Sequence, residues 1–186
     1  MRKNLGIKGA LYPEPVLMIA TYDENGIPDI MNAAWGCIFD YDKIGIVLSK
    51  DHKTTKNIMA RKAMTISMGT KKTLASCDYV GIVSANDVPD KFLRSGFTSS
   101  KSEFVDAPIV NELPLVFECV LDHYEEDKEL MIAKILNVSV DESILTDGKV
   151  DPKKLEAISF DGFNNGYLVL GERVGSAFKD GSALKK

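Results

Sequence analysis

Val16-Leu17-Met18-Ile19-Ala20-Thr21-Tyr22-Asp23-Glu24-Asn25-Gly26-Ile27-Pro28-Asp29-Ile30-Met31-Asn32-Ala33 is the stretch whose reading decides the fold. Val16 to Tyr22 is a near-continuous apolar run of strand length, as expected of a strand covered on both faces. Asp23-Glu24-Asn25-Gly26 follows, and Asn-Gly is a strong tight-turn signal. Ile27 to Ala33 then reads as the returning strand of a hairpin.

Further strands follow the same logic. Ile44-Gly45-Ile46-Val47-Leu48 is a third buried strand. Ala63-Met64-Thr65-Ile66-Ser67-Met68 alternates bulk with polarity and ends at Gly69. Leu115 to Leu121 and Leu130 to Val140 are two more, joined by the acidic turn Glu125-Glu126-Asp127-Lys128. Leu136, Val138 and Val140 share one face by the period of two. Thr146-Asp147-Gly148-Lys149 is a turn, Lys153 to Ala157 one helical turn, and Tyr167-Leu168-Val169-Leu170 a last short strand. Helices are few. One runs from the loop after Leu48 through Arg61, one covers Thr73 to Val80, and a short one starts at Asp87-Val88-Pro89-Asp90 with Asp87 as its cap and stops near Gly96. Residues 97–111 read as a long polar loop. Strands arriving mostly through hairpins, with few helices, predict a mainly β (α+β) antiparallel barrel rather than a doubly wound parallel sheet.

The 186 residues suit a single domain, 1–186, with a real core. An apolar content of 45% with 27% charged residues is ordinary for a soluble globular protein. A net charge of −4 argues against nucleic acid as the main partner. Cys37, Cys77 and Cys119 are far apart and odd in number, so no disulfide framework is expected and a reducing cytoplasm fits. The start, Met1-Arg2-Lys3-Asn4-Leu5-Gly6, has no long apolar core behind it, and no apolar run is long enough to span a bilayer, so no membrane is expected.

Ser49-Lys50-Asp51-His52-Lys53-Thr54-Thr55-Lys56-Asn57-Ile58 puts two threonines and three lysines at one helix start. Free backbone N–H groups and the positive end of the helix dipole favour an anion there, and a phosphate monoester is the natural guest. The plain alternative is a self-capping helix with a solvated face. In Met31-Asn32-Ala33-Ala34-Trp35-Gly36 an amide, two small residues and an indole would let a planar ligand lie against the main chain; the alternative is a strand end with a core Trp. In Asp78-Tyr79-Val80-Gly81-Ile82-Val83-Ser84-Ala85-Asn86-Asp87, followed by Lys91, Ser84 and Asn86 offer donors and Lys91 a charge; the alternative is that Asp87 caps the next helix and Lys91 is solvated. His52 and His123 lie in no metal-ligand spacing, so no metal is expected. P-loop, GxGxxG and GxSxG motifs are all missing. Cys119, among Val116, Phe117 and Val120, reads as a core residue and not a nucleophile.

These clusters, in this order, resemble the flavoredoxin-like branch of the flavin reductase family. The matching elements are Tyr12-Pro13-Glu14-Pro15-Val16, Asp23-Glu24-Asn25-Gly26-Ile27-Pro28, Asn32-Ala33-Ala34-Trp35, Ser49 with Lys53-Thr54-Thr55-Lys56-Asn57-Ile58, Asp78-Tyr79-Val80-Gly81 with Ser84, and Asp90-Lys91-Phe92. Ala107-Pro108-Ile109, Leu115-Val116-Phe117-Glu118-Cys119 and Tyr167-Leu168-Val169-Leu170-Gly171-Glu172 continue the likeness over nearly the whole chain. The resemblance implies an FMN-binding split β-barrel, with FMN at a homodimer interface. It implies that Ser49, Lys53, Thr54 and Thr55 meet the phosphate. Asn32, Ala33, Ala34 and Trp35 would line the ring, and Ser84, Ala85, Asn86 and Lys91 would complete the pocket. Lys50 and His52 belong to the same candidate cofactor-binding set. Two departures stand out. Ala85 replaces the family's frequent Gly, and Asp29 replaces its usual Asn. No side chain need act as a catalytic acid or nucleophile, because FMN would carry the redox chemistry. The expected function is a flavin reductase-like oxidoreductase or a flavoredoxin-type electron-transfer protein, with the donor, nicotinamide or protein, left open. The alternative is a non-catalytic FMN-binding or storage module. A pyridoxamine-phosphate oxidase-type enzyme fits the Asn-Ala-Ala-Trp and Asp-Lys-Phe elements less well. Thr98 to Glu103 is expected to cover one face of the ring as a mobile gate.

Overall fold

The computed structural model describes residues 1–185. Its centre is a curled seven-stranded antiparallel sheet. In chain order these strands are β1 (Leu17–Tyr22), β2 (Pro28–Ala33), β3 (Gly36–Asp40), β4 (Lys43–Val47), β5 (Ala63–Met68), β6 (Leu115–Glu125) and β7 (Leu130–Val140). Their spatial order is β2-β1-β5-β6-β7-β4-β3. The helices are α1 (Lys53–Arg61), α2 (Leu74–Ile82), α3 (Lys91–Arg94) and α4 (Pro152–Leu155).

The β1–β2 hairpin forms as its sequence demands. Asp23 Oδ1 accepts the N–H groups of Asn25 and Ile27, each at 2.8 Å. Gly26 supplies the positive φ of 78° that the turn requires. The Arg61 guanidinium, at the end of α1, donates to the Asp23 carbonyl and locks the turn to the helix.

Both faces of β1 are buried, which is why it reads as an unbroken apolar run. Leu17 and Ile19 point into one core with Ile44, Ile46, Leu48, Ile58, Met64, Ile66, Cys119 and Met131. Met18 and Ala20 point into a second with Ile30, Cys77, Val80, Phe97, Val110, Leu113 and Ile158. Cys119 is a core residue, as its neighbours in sequence predict. Fully burying one such aliphatic side chain contributes about 1.5–3 kcal/mol, so the doubly covered strand anchors the barrel.

Several local expectations are corrected. Residues 97–111 are not an irregular loop: Ser99–Lys101 pairs antiparallel with Pro108–Val110. The Thr98 N–H and hydroxyl donate to Glu112, and Ser102 is buried with its hydroxyl on Glu118. Ser102 also accepts from the N–H groups of Phe104 and Val105. A segment so tied is a buttress of the barrel wall, and the geometry gives no support to Thr98 to Glu103 as a mobile gate. Asp87 does not cap α3. Asp90 stands at the N-cap without a side-chain cap bond and pairs instead with Arg94 at 2.8 Å. The strands Gly36–Asp40, Glu14–Pro15 and Ile158–Asp161 were not anticipated. The first has exposed apolar residues and no alternation. The other two are short: Glu14–Pro15 pairs with Ile158–Asp161 across the chain, and Ile158–Asp161 pairs on its other side with Gly166–Val169.

Candidate functional site

Helix α1 begins with an unusual N-terminus. His52 is the N-cap residue but makes no side-chain cap bond, and the first turn holds no acid. The intrahelical ladder opens with Lys56 N–H donating to the His52 carbonyl at 3.1 Å. The N–H groups of Lys53, Thr54 and Thr55 precede it and are left for an outside acceptor. Lys53 and Thr54 line a recess of about 240 Å³ together with Met31, Asn32, His52, Val80, Gly81, Ile82, Val83, Ser84, Ala85 and Lys91. The sequence placed these residues in three separate clusters. The fold brings them together because β2, the start of α1 and the end of α2 meet here.

Asn32 also lines a second recess, of about 220 Å³, with Val16, Ala33, Ala34, Phe160 and Tyr167. Ala34 in turn lines a third, of about 600 Å³, walled by Trp35, Gly36, Cys37, Phe39, Ile46 and the Lys8–Leu11 segment. The three recesses are neighbours in a row, Asn32 being common to the first two and Ala34 to the last two. The row runs from the cationic N-terminus of α1, past the Asn32 amide and two alanines, to the Trp35 indole. The apolar end suits a planar ring, and the other end suits an anion.

The contacts of each expected residue are specific. Asn32 donates its amide to the Cys77 carbonyl at 2.8 Å, which docks α2 on β2. Trp35 is 62% exposed, so it is no core residue but a surface aromatic at the end of the row. Lys53 pairs with Glu24 at 3.0 Å while lining the anion recess. Ser84 accepts the Asn86 N–H at 3.1 Å, and the Asn86 amide donates to the Asp51 carbonyl, tying the two loops that frame the recess.

Other expected residues sit differently. Ser49, Lys50, Thr55 and Asn86 do not line the recess in the described residues. Lys50 points away to Glu126 at 2.8 Å. The Thr55 hydroxyl is buried with no partner. Lys91 is not solvated: it is 3% exposed, with Nζ 3.4 Å from Asp29 Oδ1. Thr54 is equally buried and donates to Asp29 Oδ2 at 2.5 Å. Its hydroxyl thus points to Asp29, while Thr54 also lines the recess. Burial pushes the Lys91 ammonium below its ordinary pKa, and the neighbouring Asp29 carboxylate opposes that shift.

Sequence reasoning missed Asp29 as a member of the site, although a carboxylate inside an apolar strand was a visible signal. It also missed Met31, Gly81 and Tyr167. Tyr167 donates to Asp78 at 2.7 Å, and burial, then that hydrogen bond, pushes its phenol up to about 12. No cluster of His, Cys, Asp and Glu able to hold a metal occurs among the described residues.

The comparisons with known proteins agree with this architecture. The flavoredoxin of Desulfovibrio vulgaris (Miyazaki F) superposes with a TM-score of 0.92 and is 37% identical, covering 97% of this chain and 100% of its own. A flavoredoxin from Methanosarcina acetivorans gives a TM-score of 0.88 at 23% identity, over 98% of this chain and all of that one. An FMN-binding domain of a flavin reductases-like enzyme from Shewanella baltica OS155 gives 0.78 at 23% identity, over 88% and 89% of the two chains. The last two show the shared split-barrel fold. Residues 9–153 match the profile of the flavin reductase like domain. A match over that length, on a curled barrel with this strand order, means that the chain belongs to the flavin reductase-like family.

Proposed function

We propose that this chain binds FMN and serves as a flavin reductase-like oxidoreductase or flavoredoxin-type electron carrier. The observation that carries the reading is the row of three recesses from the start of α1 to Trp35, with Asn32 and Ala34 each lining two of them. An N-terminus with no acid and no side-chain cap fits a phosphate. The small side chains of Ala33 and Ala34 fit a ring lying close to the main chain. The reading is supported by the likeness to a 37%-identical flavoredoxin and to an FMN-binding domain of a flavin reductases-like enzyme. Bound FMN would supply the hydride and electron chemistry. The chain would bind the phosphate, orient the ring and exclude water.

A homodimer belongs to this reading. Trp35, Ile38, Phe39 and Tyr41 are exposed together on and beside the edge strand β3, and Leu136 and Val138 on β7 are exposed as well. Large apolar side chains gathered on a sheet edge are covered when a second copy packs there. A cytoplasmic setting also fits, since Cys37, Cys77 and Cys119 are all free thiols.

Fluorescence titration with FMN and riboflavin tests the cofactor. FMN is expected to bind at least tenfold tighter, since a phosphate gains charge-assisted bonds worth roughly 1.5–3 kcal/mol each. Equal affinities would place the anion site elsewhere. NAD(P)H oxidation and reduction by protein donors then separate a redox protein from a storage module, which would bind FMN without turnover. Sedimentation of the flavin-bound protein should give twice the chain mass, and a clean monomer carrying FMN would remove the shared interface.

A further inference from the structure

Lys91 and Asp29 form a buried ion pair behind the anion recess. Lys91 is 3% exposed and Asp29 is 5% exposed. Lys91 also lines the recess, so the pair has one member at the wall and one behind it. Asp29 Oδ2 receives the Thr54 hydroxyl at 2.5 Å and the Asn57 amide at 3.5 Å. Asp29 Oδ1 has no hydrogen-bond partner in the chain, only the Lys91 ammonium at 3.4 Å. An ammonium this buried keeps its proton only beside a countercharge, because removing one member of a buried pair leaves the other charge uncompensated. The other ionisable side chains on the recess are those of His52 and Lys53 at the start of α1. Lys53 is already paired with Glu24, and the wall from Val80 to Ala85 contains nothing that titrates. On α3 itself, Arg94 and Asp90 satisfy each other.

We propose that Asp29 is the positioning residue of the anion site: its carboxylate holds Lys91 protonated at the recess wall and takes the Thr54 proton, so that anion recognition falls to the α1 N–H groups, Lys53 and Lys91. Its effect on the ligand is indirect. An anion in the recess meets a cation whose charge is maintained from behind. This deepens the FMN reading by assigning which chain residue keeps the phosphate end cationic, and it rests on that reading only for the identity of the anion.

The test uses Asp29→Asn, which keeps the shape and removes the charge, and Asp29→Glu, which keeps the charge. The first readout is the NMR titration of the Lys91 ε-carbon in flavin-free protein. In Asp29→Asn the Lys91 pKa should fall by more than about one unit, since the opposing charge is gone, and Asp29→Glu should restore it toward the parent. The second readout is FMN and riboflavin affinity from pH 6 to pH 10. Asp29→Asn should lose FMN affinity at a lower pH than the parent and bind at least about tenfold more weakly where only the parent's Lys91 is charged. Riboflavin affinity should not follow that profile. An unchanged Lys91 titration in Asp29→Asn would overturn the proposal. Absence of flavin binding in every variant, with the Lys91 shift present, would sink the FMN reading and leave Asp29's role standing. If Asp29→Asn does not fold, the double variant Asp29→Asn with Lys91→Met should, because no unpaired charge remains. Failure of that double variant to fold would also overturn the proposal, since it would assign Asp29 to packing alone.

Discussion

Gly81 lies so close to the Asn32 carboxamide that a Cβ built on it would overlap both the amide nitrogen and the amide oxygen. The contact fixes α2 against β2, and Asn32 reinforces it by donating to the Cys77 carbonyl one turn earlier. Asn32 is also the residue shared by the anion recess and the recess beside it. Gly81→Ala should therefore push the amide out of place and break the Cys77 bond. Thermal unfolding is expected to show a loss of about 1–3 kcal/mol, from overpacking and a lost hydrogen bond. Flavin affinity should fall with it, and equally for FMN and riboflavin, because the displaced group lies beyond the phosphate. Unchanged stability and affinity would mean that Asn32 has room to move.

Lys53 and Thr54 are neighbours with different tasks. Lys53 lines the recess and shares its charge with exposed Glu24, whereas Thr54 is buried and bonded to Asp29. Lys53→Ala should leave the melting temperature of the flavin-free protein nearly unchanged, since a surface ion pair contributes at most about 1 kcal/mol. It should weaken FMN but not riboflavin. Thr54→Ala should destabilise the flavin-free protein by about 1–3 kcal/mol, because a buried carboxylate oxygen loses the nearer of its two donors. Equal effects of the two substitutions on stability would contradict this division.

The cysteines differ in reactivity. Burial, reinforced by the adjacent Glu118 carboxylate, pushes the Cys119 thiol up to about 12, and burial also raises Cys77. Cys37 is exposed on β3 beside Trp35. Since the thiolate is the reactive form, a thiol reagent at pH 8 should modify one cysteine per native chain, identified by mass spectrometry as Cys37. The other two should react only on unfolding. Rapid labelling of Cys77 in the native protein would show that α2 opens readily from the sheet.

Tyr167 couples stability to pH. Its phenol is raised from 10 to about 12 in the folded chain. Between those values the unfolded chain has released the proton and the folded chain retains it. The folded state binds more protons there, so its stability falls as pH rises through that window. Tyr167→Phe removes the group, and its stability should decline less steeply than the parent's from pH 10 upward. At neutral pH the variant should be weaker by about 1 kcal/mol, from the hydrogen bond lost to Asp78. Parallel pH profiles for the two proteins would show that Tyr167 titrates alike in both states.

The sequence alone determined the elements whose signal is local. Leu17 to Tyr22 had to be covered on both faces, because no polar face is offered to water. Asn25-Gly26 had to turn, because Gly26 takes a positive φ at little cost. The start of α1 offered free N–H groups by helix geometry before any neighbour was known. Tertiary structure decided what depends on partners far along the chain. Ser99–Lys101 looks like a loop until Pro108–Val110 supplies the other half of its ladder. Gly36–Asp40 becomes a strand only at the edge beside Lys43–Val47. Thr54 and Lys91 read as solvated or ligand-facing groups until the β1–β2 hairpin delivers Asp29 between them. Backbone propensity and turn chemistry act between near neighbours and can be read in one dimension. The burial of a charge and the choice of its counterion are set by distances that exist only once the chain has closed on itself.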